Sequence, residues 1–113
     1  MSKKLMSIVI NALEDMKGKD IQVLNVRDRC SFTDNMIIAT GSSKRHVKSL
    51  AESVVIASKA SGNQPIGVEG ADVGEWVLVD LGDIVLHVLR PEMREFYQLE
   101  KLWSVDETEV AAN

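Results

Sequence analysis

One cysteine, Cys30, stands in a chain of 113 residues. No intramolecular disulfide can form, and nothing in the composition calls for an oxidising compartment. A basic excess is missing too: 17 acidic against 13 basic side chains leave a net charge of −4 and a pI near 5.1. A protein that neutralises phosphates by itself carries a basic face, so direct sequence-specific nucleic-acid binding is disfavoured. An acidic surface suits a basic protein partner instead. There is no apolar run of the ~20 residues that a membrane span needs. The amphipathic N-terminus is interrupted by Lys3, Lys4, Asn11 and Glu14 and reads as neither signal peptide nor span. No membrane partner is expected, and the cytoplasm is the expected location. Internal repeats, low-complexity tracts and linkers are absent, and the length suits a single core.

What is present is patterned for an α/β domain. The stretch from Val68 to Trp103 organises the rest. Trp76–Leu81 and Ile84–Leu89 are apolar, β-branched runs around Gly82-Asp83, which reads as a β-hairpin. Both runs are nearly continuous, which predicts cover on both faces. Pro91 stops the sheet and, with Glu92, starts a helix; Phe96, Leu99 and Leu102 follow at helical spacing, with Tyr97 and Trp103 beside them. Upstream, Leu5, Ile8, Val9, Ala12, Leu13 and Met16 mark one face of a first helix that Gly18 is placed to end. Residues 21–26 and 34–40 read as an antiparallel strand pair, because their connection is too short for a crossover. Ser42 or Ser43 can cap a second helix with Val47, Leu50, Ala51, Val54 and Val55 as its apolar stripe, ended by Gly62. Residues 65–68 make a short third strand. A strand, a long helix and a further strand imply a right-handed crossover and hence a mixed sheet. The expected fold is therefore α/β: one domain, about five strands in a mixed sheet, three helices. Residues 105–113 are small, acidic and aperiodic and are expected to be a disordered tail behind a domain spanning 1–104.

Several constellations invite a chemical reading. Gly41-Ser42, between a strand and a helix, is either a phosphate cradle or a tight turn with a serine cap. A P-loop is excluded, because its Gly-Lys spacing is absent. A nucleotidyltransferase needs two acids on a nearby strand to hold magnesium; Glu52 is the only acid between Lys44 and Ala60, and Asp80 and Asp83 flank a turn. Neither a catalytic site nor a metal site is therefore expected. Lys44, Arg45 and His46 place cations in the first turn of the middle helix, at a cost of roughly 0.3–1 kcal/mol each when exposed. That broken rule points to function or to a compensating acid such as Asp34 or a nearby glutamate. His46 and His87 lack ligand-spaced neighbours, and His87, mid-strand among apolar residues, reads as a core or interface histidine satisfied by hydrogen bonding. Cys30 reads as a bystander thiol. Trp76 opens a strand after an acidic loop and is either a core residue or a binding anchor. Glu69, Asp72, Glu75, Asp80 and Asp83 surround it in sequence.

These runs resemble the Iojap family, the ribosomal silencing factors called RsfS in bacteria. The matching residues are 33–43 (Thr-Asp-Asn-Met-Ile-Ile-Ala-Thr-Gly-Ser-Ser), Arg45-His46-Val47, Gly67-Val68-Glu69-Gly70 and Trp76, then 79–83, His87-Val88, Arg94, Tyr97 and 99–103. The resemblance covers nearly everything from Leu5 to Ser104 and diverges at the Cys30 loop and the tail. It implies a nucleotidyltransferase-like fold without the catalytic acids, and no cofactor. It further implies a non-enzymatic translation repressor that binds the large ribosomal subunit through its protein number fourteen. The small subunit is then blocked from joining when nutrients are scarce. Family members often form dimers, so a homodimer is expected. Trp76 is carried over as the partner-binding residue, with Glu69, Asp80, Leu81 and Asp83 as its neighbours; Arg45, His46, Arg94 and Tyr97 are accessory motif positions. The lack of an organellar presequence points to a bacterial member. A minimal nucleotidyltransferase and a nucleotide-binding module using Lys44, Arg45 and His46 are the alternatives.

Overall fold

The computed structural model describes residues 2–28, 31 and 33–98. In chain order it has α1 (Ser2–Asp15), β1 (Lys19–Asn25), β2 (Asn35–Thr40), α2 (Lys44–Ala60), β3 (Gly67–Glu69), β4 (Trp76–Asp80), β5 (Ile84–Leu89) and α3 (Pro91–Tyr97). The strands form one sheet in the order β1-β2-β5-β4-β3. β2 and β5 run parallel, and the other three neighbouring pairs are antiparallel. This is the single α/β domain with a five-stranded mixed sheet and three helices that the patterning predicts. Cys30, Leu99, Leu102, Trp103 and the acidic tail lie outside the described residues.

Local chemistry sets each element. In α1, Leu5, Val9, Ala12 and Leu13 are buried at helical spacing. The helix stops one residue earlier than its glycine suggests. Lys17 takes the left-handed conformation at φ 63°, while the Gly18 N–H reaches back to the Leu13 carbonyl at 2.7 Å. Gly18 is needed for space: a Cβ there would lie 3.2 Å from a Leu50 methyl on α2. Ser43 caps α2 by accepting the His46 N–H at 3.1 Å. Val47, Leu50, Ala51 and Val54 then turn inward. The hairpin closes on Gly82, at φ 88°, with the Leu81 N–H bonded to the Ile84 carbonyl.

Helices α1 and α2 cover one face of the sheet. Their side chains meet Ile37, Ala39, Val77, Val79, Ile84, Leu86 and Val88 in the main core. Each fully buried Val, Ile or Leu among them contributes about 1.5–3 kcal/mol of transfer free energy. A smaller cluster of Val26, Met36, Ile38 and Leu89 lies on the opposite face, with Leu24, Trp76 and Met93 packed on it. Cover is therefore unequal. β5 is buried at all six positions, as its continuous apolar run predicts. β4 alternates instead, because only its helix-side residues Val77 and Val79 are fully buried. α3 also departs from expectation: Phe96, expected in an apolar stripe, is 77% exposed, and the buried side chain of the helix is Arg94. Gln98 caps α3 in the left-handed region at φ 50°.

The loop before β4 turns at Gly70. Its φ is +84°, and a Cβ there would overlap the carbonyl oxygen of Trp76. Gly70→Ala should cost about 2–4 kcal/mol, since left-handed strain and a backbone clash act together. Gly62 has a similar φ of +90° but nothing within 4 Å of its would-be Cβ. Gly62→Ala should cost only about 1 kcal/mol. Urea denaturation of both variants tests this, and equal losses would remove the clash from the account.

Candidate functional site

Residues paired across a sheet share a face, so the register arranges the face opposite α1 and α2 in rows. One row runs Thr40, Leu89, Trp76. The next runs Ile38, His87, Leu78, Glu69, and the third Met36, Val85, Asp80, Gly67. Trp76 opens β4 and is partly exposed. β3 pairs only with Leu78 to Asp80, so it ends before reaching Trp76. The indole N–H donates to Nδ1 of His87 at 3.0 Å. Tyr97 of α3 packs on the same indole, with ring centres 4.8 Å apart and tilted by 50°. Phe96 meets Tyr97 edge-on at 4.9 Å. Along this ladder exposure rises outward: His87 is 7% exposed, Tyr97 47% and Phe96 77%. Four rings thus lead from the core to solvent, with Leu78 and Glu69 in the adjoining row.

Of the core and interface readings of His87, the structure shows a buried histidine that accepts a hydrogen bond. Burial lowers its pKa from 6.5 to about 4. The ring is therefore neutral near pH 7, and with Nδ1 accepting, its proton sits on Nε2.

The acids that neighbour Trp76 in sequence separate in space. Glu69 is exposed and shares the face. The Asp80 carboxylate accepts the Gly82 N–H at 2.9 Å and so holds the hairpin turn. Asp83 lies in that turn, where its carbonyl accepts the N–H groups of Asp34 and Asn35. At ~3.3 Å per residue, β4 carries this turn roughly 15 Å or more from Trp76. Glu75 pairs with Lys44 at 3.6 Å and Arg90 at 3.3 Å. Leu81, expected beside the anchor, is only 9% exposed and packs in the helix-side core. The structure therefore brings Glu69 and Tyr97 to Trp76, leaves Asp80 two rows away, and separates Leu81 and Asp83 from it.

The other accessory positions have structural partners or lie elsewhere. Arg94 donates from Nη1 to the Thr40 hydroxyl at 2.7 Å and is buried. Arg45 is exposed in the first turn of α2, on the helix-covered side. His46 ties the end of α1 to the start of α2: Nε2 lies 2.8 Å from the Met16 carbonyl, and Nδ1 accepts the Ser42 N–H at 2.8 Å. The compensating acid for the basic turn is Glu75, while Asp34 pairs with Arg27 at 3.7 Å. The Gly41-Ser42 turn follows its capping reading. The Gly41 N–H bonds to Leu89, the Ser42 N–H to His46, and the His46 N–H to Ser43, so these donors already have partners inside the protein. Gly41 itself answers to packing, since a Cβ would press on Val47 at 2.7 Å.

The described residues also line clefts. One of about 440 Å³ mixes Lys19 and Arg94 with Asp20 and Glu95, and one of about 560 Å³ runs between α1 and α2 past Ile8, Glu52 and Ile56. Neither is lined by Gly41, Ser42, Lys44, Arg45 or His46. Among the described residues no three His, Cys, Asp or Glu side chains group to hold a metal ion, and no helix is long and apolar enough to cross a membrane. Three ladder neighbours, Leu78, Met93 and Phe96, are not singled out as site residues by sequence. For Leu78 the signal was available, because i and i+2 in a strand share a face with Trp76.

The depressed pKa of His87 has a consequence for stability. Protonation is disfavoured in the folded chain relative to the unfolded one, so the folded state gains in full above pH 6.5. That gain is lost as pH falls from 6.5 toward 4, by on the order of 3 kcal/mol. Denaturation midpoints at pH 7, 5.5 and 4 should fall more steeply for the native chain than for His87→Gln. Parallel profiles would contradict the assignment.

The sequence matches the family described as "Ribosomal silencing factor during starvation" over residues 1–113. It is 48% identical to ribosomal silencing factor RsfS of Chromobacterium violaceum over 101 residues, covering 89% of this chain and 83% of that protein. A crystal structure of a Chromobacterium violaceum protein shares the fold with a TM-score of 0.88 at 48% identity, covering 89% of this chain and 84% of that one. A more distant relative is the mouse protein named mitochondrial assembly of ribosomal large subunit protein 1. It is 33% identical, with 87% of this chain and 44% of that protein covered. With a match along its whole length, a shared fold and relatives at this identity, the chain belongs to the ribosomal silencing factor (RsfS) family.

Proposed function

We propose that this chain silences ribosomes in the cytoplasm without catalysing a reaction. In this reading it binds the large ribosomal subunit through protein number fourteen, a basic β-barrel protein, and occupies the face that meets the small subunit. Subunit joining is then blocked sterically, and translation is repressed under nutrient limitation. The observation that carries the reading is the Trp76–Tyr97–Phe96 ladder, which exposes aromatic surface on the face that α1 and α2 leave open. Buried-to-exposed aromatics of this kind are the usual anchors of protein interfaces. Glu69 beside the ladder and the net charge of −4 suit a basic partner. The family's name and the large-subunit relative point the same way.

Trp76 is the centre of the proposed contact, and Glu69 is the acid in the adjoining row of the same face. Asp80 and Asp83 are rim positions, and Leu81 supports the hairpin from inside. The reading includes a homodimer away from the ribosome, since exposed rings of this size gain from mutual cover.

Trp76→Ala should weaken binding to purified large subunits by about 2–4 kcal/mol, roughly 30- to 1,000-fold. Co-sedimentation at moderate salt is the measurement, because high salt screens an acidic-to-basic contact. Arg45→Ala, on the helix-covered side, should bind as the native chain does. Native-strength binding by Trp76→Ala would remove this surface from the proposal.

A further inference from the structure

We infer that His87 is a positioning residue for docking: by accepting the Trp76 N–H, it fixes the indole in the pose that the partner meets. This deepens the proposed function and rests on it.

Trp76 is held from inside the fold. β3 stops before it, so no strand flanks it on the outer side of β4. Beyond its packing on the small cluster, two groups hold the ring: Tyr97 against the indole, centred 4.8 Å away, and His87 at 3.0 Å from the indole nitrogen. Tyr97 is 47% exposed on a helix of seven residues, whereas His87 is 7% exposed in a strand buried at all six positions. The rigid holder is therefore His87. It stands mid-sheet, between Ile38 on β2 and Leu78 on β4. Nδ1 is an acceptor only in the neutral tautomer that keeps its proton on Nε2.

Without that acceptor, an indole N–H at this depth loses its partner and turns toward water. The ring then leaves Tyr97 and the ladder opens. The bond also determines what the surface can recognise. A tryptophan has one polar group, and here it is engaged within the protein. Trp76 therefore offers its partner a π face, which accepts an apolar or cationic side chain and gives nothing to a hydrogen-bond acceptor. A basic protein surface supplies groups of that kind, with Glu69 in the adjoining row to pair with them.

The test is a cycle of variants in the full chain, read as affinity for purified large ribosomal subunits at one pH and salt, under conditions where each variant is folded. His87→Leu removes the acceptor; Trp76→Phe keeps a ring and removes the N–H. In the native background His87→Leu should weaken binding roughly five- to tenfold, the usual magnitude of one hydrogen bond. In the Trp76→Phe background the same change should alter affinity less than about twofold, because no bond is left to break. The indole N–H resonance of Trp76, assigned by its loss in Trp76→Phe, should move toward a solvent-exchanging position in His87→Leu. A purely structural role for His87 would weaken binding equally in both backgrounds, and that result overturns the inference. Unchanged affinity in His87→Leu together with a displaced indole resonance overturns it too. If His87→Leu does not fold, His87→Phe, which also lacks an acceptor, takes its place with the same expectations. Trp76→Ala separates the two levels: native binding by that variant would discard the docking surface itself, whereas its loss beside an inert His87→Leu would discard only the role of His87.

Discussion

The parallel pairing of β2 with β5 governs the rest of this molecule. β1–β2 and β4–β5 are each antiparallel pairs with local connections, so each forms a ribbon of its own. Joining the ribbons through β2 and β5 places β5 in the middle, where both of its faces must be covered. It also forces the chain from β2 to cross the sheet before adding β3 at the far edge, and α2 makes that crossing. α1 packs beside α2, so one face receives two long helices. Among the described residues the other receives only α3, of seven residues. Among the described residues, the lighter cover of that second face is thus a result of strand order, and it leaves Trp76 partly exposed.

The same asymmetry explains which features could be read from the chain. Periodicity over α1 and α2, the Gly82-Asp83 turn and the apolar runs of β4 and β5 report local preferences, and local preferences determine the elements. Boundaries moved where two devices overlap. At the end of α1, Lys17 takes the left-handed position and Gly18 answers to Leu50, a residue more than thirty positions away that no local pattern reveals. Spacing likewise puts Phe96 on an apolar stripe, yet only strand order decides whether a third helix finds a core to face. The site was legible in part. Trp76 stood out by type and place, and His87 by its apolar setting. Their bond depends on a diagonal register between β4 and β5, and the separation of Asp83 from Trp76 depends on strand length. A string of five acids looks like a ring only until the strand is drawn out.

The basic start of α2 shows how a broken local rule can serve a junction. Cations at a helix N-terminus oppose the macrodipole. Here Lys44 reaches Glu75 across the β3–β4 loop, and Gly74 of that loop lies so close that a Cβ would meet the Lys44 carbonyl at 3.0 Å. His46 reaches the other way, to the Met16 carbonyl at the end of α1. Glu75 also holds Arg90, which precedes α3. One turn of helix therefore links α1, the loop before Trp76 and the start of α3. What resembles a phosphate grip in sequence acts in the fold as a clasp behind the aromatic face.

Affinity and encounter come from different parts of such a surface. In the proposed docking, a net charge of −4 and the exposed Glu69 act at long range, where they raise the rate of meeting a basic partner more than the strength of the complex. In the same proposal the rings act at contact. Ordering a free side chain on binding costs about 0.5–1.5 kcal/mol. Trp76 is already ordered by His87 and Tyr97, so that cost is borne in folding and not at the interface. Phe96, at 77% exposure, keeps the freedom to adjust. A fixed inner ring with an adaptable outer one lets shape decide specificity while charge decides speed, and salt separates the two because it screens only the second.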